Sequence, residues 1–267
     1  MSRCALYACL LATVAGCASG DPLLTREVPD SYRDRARLAM QCAIKAKKHL
    51  ENYVVARKQL TSDFLGDPNA FLATFEELNR AIAYQKRSLV FAPSSLTFHF
   101  DLGRLLYAKG ASLIHQAGRE LLLSKGLTID RKTGRRIVDA PVPEAERPKH
   151  RANAKLLEAE GVKCLREASG EFEVAYKINS MTWQALWYMA WCAYGVGDLE
   201  VAEQRLKDVL REGRMRDADR KALEAELKRV RKMRAEMAAA GPARVPHPPP
   251  VQPEPPRPDF PKEEPKR

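Results

Sequence analysis

The sequence predicts an all-α protein, a solenoid of helical hairpins with a short β-hairpin insertion and a disordered proline-rich C-terminal tail. Three observations carry this expectation. Apolar residues recur at helical spacing over residues 31–121 and 145–238, and β-branched runs are scarce. The same side-chain pattern returns at offsets of 34 and 87 residues. Finally, 11 of the 18 prolines fall within residues 241–267, where that density opposes both helix and sheet.

The chain begins with one positive charge, Arg3, followed by an apolar run from Cys4 to Val14. That run has about the length of a signal-peptide h-region and is too short to cross a bilayer as a helix. Ala15 and Gly16 supply the small residues a cleavage site needs, and Cys17 follows at once. Val14-Ala15-Gly16-Cys17 resembles the lipobox of bacterial lipoproteins. The resemblance implies a signal peptide over 1–16, diacylglycerol and a further acyl group on Cys17, and a lipidated tether over 17–30. Two or more acyl chains attach stably where one does not. An ordinary secretory signal with an incidental cysteine is the competing reading. In the lipoprotein family an aspartate after the cysteine favours inner-membrane retention; Ala18 here implies the periplasmic face of the outer membrane. No second apolar stretch approaches spanning length, so the lipid is expected to be the only anchor.

Residues 31–240 are expected to form one α-helical domain, long enough to bury a sizeable core. Its first helix, over residues 31–61, is basic and places Leu38, Cys42, Ala46 and Leu50 on one face. Repetition follows. Ala168, Phe172 and Ala175 return 34 residues later as Ala202, Leu206 and Val209. At an offset of 87 residues, Ala81, Ser88 and Pro93 match Ala168, Ala175 and Ser180, while Leu102, Tyr107 and Gly110 match Met189, Tyr194 and Gly197. This period, with small residues at these spacings, resembles the tetratricopeptide repeat family over roughly residues 65–213. Leu102-Gly103, Tyr107 and the expected turn glycine Gly110 correspond to the first helix of a unit, and Gly197 to Ala202 to an inter-helix turn and second-helix start. Gln85 stands at an aromatic position of the pattern, His99 where tryptophan is usual, and Leu156 where glycine belongs. A generic helical bundle is the alternative.

The insertion, placed at 124–148, breaks the helical pattern. LTID and RRIV read as two short strands around a glycine-containing turn. The basic loop at its tip, Arg131, Lys132, Arg135 and Arg136, is either an anion contact or a solvated loop. Residues 217–238 read as a charged amphipathic helix after Asp217, with Leu223, Leu227, Val230 and Met237 inward, closing the end of the array. The tail at 241–267 would reach about 80 Å if extended as polyproline II, either as a semi-rigid arm or as a tail without a specific partner.

The formal charge of +11 lies wholly in residues 31–240, which hold 38 Lys+Arg against 27 Asp+Glu. An acidic partner, an anionic lipid surface or a wall polymer would be attracted; ion-paired, solvated helix faces are the plainer reading. Nucleic acid is not expected for an exported chain. Beyond the signal and Cys17, the cysteines are Cys42, Cys164 and Cys192. Three buried thiols are expected, with a Cys164–Cys192 disulfide as the alternative. No metal spacing, nucleotide loop or catalytic motif appears, so neither cofactor nor catalysis is expected. His99 and His115 are placed facing each other across one hairpin, in structural roles.

The family resemblance implies a concave groove that receives a peptide. With Leu186, Met189, Ala190 and Ala193 as packing positions, the other face of that helix presents Gln184, Trp187, Trp191 and Tyr194. The equivalent earlier face carries Phe100, Arg104 and Tyr107, alongside Thr97. Aromatic residues with an arginine dominate recognition hot spots, although such stripes also form core. The expected function is a non-catalytic envelope lipoprotein scaffold that binds a peptide segment or protein partner during periplasmic complex assembly. The alternative is a structural tether between outer membrane and cell wall through the basic domain and the tail.

Overall fold

The computed structural model describes residues 20–63, 68–129, 136–137, 142–212 and 215–240. Its architecture is all-α. The helices are α1 (Pro22–Thr25), α2 (Tyr32–Asp63), α3 (Pro68–Phe91), α4 (Leu96–Ser124), α5 (Arg147–Ile178), α6 (Trp183–Gly195), α7 (Leu199–Arg211) and α8 (Asp217–Ala240). Each long helix packs on the next in sequence, and α4 also touches α6. One hydrophobic core runs from Tyr53 on α2 to Val230 on α8, with two smaller clusters, Leu38, Ala39, Cys42 and Phe91 between α2 and α3, and Phe75, Leu113, Ala117, Leu157 and Cys164 among α3, α4 and α5.

The most extensive interface joins α4 to α5, and glycine sets its closeness. A Cβ on Gly110 would stand 2.9 Å from the carbonyl oxygen of Gly161, and one on Gly161 would stand 2.7 Å from Ile114 Cγ1. Only residues without a side chain let the two backbones approach so nearly. Further along, the Phe172 ring fills the space over Gly103. Gly110 is therefore a packing residue in mid-helix, not the turn glycine expected from the repeat pattern. α4 continues without a break to Ser124, and its carboxyl end is closed by Gly126 in the left-handed region at φ 67°.

Several residues paired by the repeat offsets are buried alike. Ala168, Phe172 and Ala175 on α5, and Ala202, Leu206 and Val209 on α7, are all buried, as are Ala81 and Ser88 on α3. Helix length departs from the pattern. α2 and α5 each run 32 residues and α4 runs 29, whereas only α6 and α7, at 13 residues each, have the size of a 34-residue unit. Their turn uses Gly197 at φ 86°, and the Asp198 side chain caps α7 by accepting from the Val201 N–H at 3.1 Å.

Among the described residues, the expected β-hairpin shows a ladder of two residues a side, Thr128 opposite Ile137 and Ile129 opposite Arg136. So short a ladder contributes little by itself. A single 3₁₀ turn, Glu144–Glu146, leads into α5, so helix resumes before the expected boundary at 148. The segment expected as a plain tether also has structure. Asp21 caps α1, with Pro22 in the first turn. Its carboxylate takes hydrogen bonds from Lys45 of α2 and Tyr84 of α3, Arg87 donates to the Leu23 carbonyl at 3.3 Å, and Leu23 packs on the small cluster between α2 and α3.

Candidate functional site

α6 carries no charged residue between Trp183 and Gly195. A helix that is apolar all round is buried all round, and every residue from Ala185 to Tyr194 is buried. The division of α6 into a packing face and an open groove face is thereby corrected. Trp187 is 6% exposed and Trp191 is 5% exposed, and Tyr194 and Phe100 are buried with them. Both halves of the helix pack because α5 lies on one side, α7 on another, and α4 closes part of the third.

The structure nevertheless brings the two expected faces together. Tyr107 of α4 stacks on Trp191 of α6 at 5.8 Å between centroids and meets Tyr188 edge-on at 5.6 Å. Arg104 donates to the Tyr188 hydroxyl at 3.3 Å. Phe100 meets Phe172 and Tyr188 edge-on, while Phe172 and Tyr188 stack at 4.6 Å. Along α6, a spacing of four residues aligns Trp183, Trp187 and Trp191; the first two stack at 5.8 Å and the second pair meets at 63° and 5.6 Å. Tyr194 turns away toward the last helix, where its hydroxyl donates to Met233 Sδ at 2.7 Å. Burial pushes its phenol upward in pKa. Gln184, Arg104 and Tyr107 remain partly exposed at the rim of this seam.

One feature of the seam is not what a finished core shows. The indole Nε1 atoms of Trp187 and Trp191 are both buried and have no hydrogen-bond acceptor among the described residues. A buried donor left unpaired costs about 1–3 kcal/mol; the Nε atoms of Arg35 and Arg147 are the other buried side-chain donors without a partner among the described residues. On α6 the two positions are one turn apart, about 6 Å along the axis.

Three histidine–carboxylate contacts tie helices together: His49 with Glu77 at 2.9 Å, His99 with Glu171 at 2.6 Å, and the fully enclosed His150 with Glu120 at 2.7 Å. His99 and His115 lie on one helix, α4, and do not face each other across a hairpin. Burial lowers the His115 pKa, with Arg119 adding to the effect. Glu203 pairs with Lys207 one turn along α7 at 2.8 Å and joins α7 to α8 through Arg231 at 3.0 Å and Arg234 at 2.9 Å, and these partners, Lys207 first, hold its carboxyl down at about 2. Asp21 is likewise held at about 2 by its bonds from Lys45 and Tyr84.

Cys42, Cys164 and Cys192 are free and buried, so no Cys164–Cys192 disulfide forms. Burial raises the pKa of all three thiols, that of Cys164 to about 11. No group of His, Cys, Asp or Glu among the described residues is arranged to hold a metal, and no described helix is long and apolar enough to cross a membrane. Cys17, the basic-loop residues Arg131, Lys132 and Arg135, and the tail at 241–267 lie outside the described residues. Arg136 contributes backbone to the short ladder, and its side chain lies outside them too.

Asp21 makes a tertiary contact that the repeat pattern does not mark. An aspartate directly before proline signals a helix start, but its long-range partners, Lys45 and Tyr84, have no local signature. No family model, curated protein or solved structure matches the chain.

Proposed function

We propose that this chain is a non-catalytic, lipid-anchored scaffold of the bacterial envelope, with a tetratricopeptide-like hairpin array that takes a peptide segment of a partner along the α4–α6 seam. The supporting observation is the pair of unpaired indole donors, Trp187 and Trp191, behind a rim of Arg104, Tyr107 and Gln184. The two tryptophan positions are about 6 Å apart along α6, close to the repeat of alternate carbonyls in an extended peptide, about 6.6 Å. Such a peptide would displace Tyr107 from its stack on Trp191 and supply the acceptors that the seam lacks. Anchorage rests on the lipobox-like Val14 to Cys17, and the outer membrane on Ala18.

The test is a crosslinking pull-down from envelope fractions with the parent and with a Trp187→Phe/Trp191→Phe variant. Phenylalanine keeps an aromatic ring and removes the N–H. The proposal expects a defined protein to disappear from the variant's catch while helical content is retained. If parent and variant catch the same proteins, or only wall fragments released without residues 241–267, the seam is core alone and the wall-tether reading takes its place.

A further inference from the structure

α2 is the edge of the array, and its outer face is unlike that of a solvated helix. Leu38, Ala39, Cys42, Ala46 and Tyr53 point inward. Opposite them, at helical spacing, stand Arg33, Arg37, Met40, Ile44, Lys47, Lys48, Glu51 and Val55, all exposed. Met40 is 56% exposed, Ile44 61% and Val55 55%, and Tyr32 at the start of the helix is exposed as well. Large apolar side chains in this number on one helix face mark an interaction surface. Of the four cations interleaved with them, Arg37 is paired with Asp34 at 3.1 Å and Lys47 lies 3.9 Å from Glu51, so the excess positive charge of this face rests on Arg33 and Lys48. Apolar residues flanked by Lys and Arg suit the headgroup region of an anionic bilayer, where the apolar side chains enter the acyl boundary and the cations stay at the phosphates.

The start of the chain brings that surface near a membrane. Asp21 is fixed to Lys45 of α2 and Tyr84 of α3, and only four residue steps separate it from Cys17. Four extended steps span at most about 14 Å. A lipid on Cys17 therefore holds the α2–α3 hairpin, rather than the far end of the array, against the bilayer. We infer that the outer face of α2 is a second membrane contact, binding anionic phospholipid headgroups through Arg33, Lys47 and Lys48 with Met40 and Ile44 inserted between them. This inference rests on the lipid-anchored reading for the placement of the hairpin, and its test is made without the lipid so that the two stand or fall separately.

The experiment is vesicle flotation of the full chain carrying Cys17→Ser. It uses vesicles of phosphatidylglycerol and phosphatidylcholine in equal parts, and of phosphatidylcholine alone. The apolar run at 4–14 is common to every arm and cancels in the comparison. The parent should float with the anionic vesicles and lose most of that binding in 0.5 M salt, where screening shortens to about 4 Å. Arg33→Glu/Lys47→Glu/Lys48→Glu should lower anionic-vesicle binding tenfold or more, and Met40→Ser/Ile44→Ser several-fold, with thermal midpoints held because these side chains face outward. Equal flotation of parent and charge-reversal variant on anionic vesicles overturns the inference. So does a parent dimer that both variants abolish, since the face then belongs to a second copy. Palmitate labelling of the unmutated chain reports separately on Cys17: absence of label removes the anchor while leaving a positive flotation result to stand for the α2 face.

Discussion

Adding one methyl group to the α4–α5 interface and one to an exposed turn of α5 should change stability in opposite directions. Gly110 and Gly170 are both helix-interior glycines, and replacing such a residue by alanine ordinarily stabilises by about 1 kcal/mol through helix propensity. At Gly170 nothing lies within 4 Å of the added Cβ, so that gain should be realised in full. At Gly110 the Cβ would lie 2.8 Å from Leu165 Cγ and 2.9 Å from the Gly161 carbonyl oxygen. The leucine can yield, but the carbonyl belongs to the α5 backbone and moves only if the helices separate. Overpacking of this kind costs about 1–3 kcal/mol, and separation also loosens neighbouring contacts, so the upper part of that range applies. Against the propensity gain, a net loss of about 1–2 kcal/mol remains. For a chain of this size, 1 kcal/mol corresponds to about 2–4 °C in the thermal midpoint. Differential scanning calorimetry should therefore show Gly110→Ala lowered by about 2–8 °C and Gly170→Ala raised by about 2–4 °C. A rise in both variants would refute the close backbone crossing of α4 and α5.

Three further outcomes follow from the packing. Phe172→Ala, which removes a buried ring stacked on Tyr188 and seated over Gly103, should cost about 3–5 kcal/mol in urea unfolding; a cost under 1 kcal/mol would show the ring unpacked. Asp21 and Glu203 have carboxyls lowered from the ordinary 3.8 and 4.5 to about 2. Their stabilisation is present above about pH 4.5 and is lost as pH falls toward 2; solvent screening holds it to about 1 kcal/mol each, with Glu203 the larger. Asp21→Asn should flatten part of that acid dependence in thermal melts and expose residues near 26–31 to protease at neutral pH. The three buried thiols at Cys42, Cys164 and Cys192 should resist maleimide in the native protein and react after denaturation, as counted by intact mass; rapid native labelling of Cys192 would contradict the enclosure of α6.

Much of the helical order was legible because it rests on periodicity. The inward residues of α2 and α8, and the burial of Ala81, Ala168 and Ala202, follow from spacing alone. Helix lengths do not follow, because a glycine that ends a helix and a glycine that lets two helices touch read alike in sequence; Gly110 reads as the first and is the second. The aromatic face of α6 was misdivided for a related reason. Its lack of any charge between Trp183 and Gly195 was the available signal for burial on all sides, and it outweighed the pattern of alternate faces. The stacking of Tyr107 on Trp191 and the docking of Asp21 on Lys45 and Tyr84 both depend on tertiary placement that no local pattern carries.

The most direct test of the scaffold account is site-specific photocrosslinking in intact cells. A photoreactive residue replaces Gln184 at the rim of the α4–α6 seam or Arg166 on the exposed outer side of α5. The account predicts a discrete crosslinked protein from position 184, lost on adding Trp187→Phe/Trp191→Phe, and none of the same product from position 166. The same product from both positions, or from position 184 regardless of the tryptophans, would contradict the seam as the place where a partner binds.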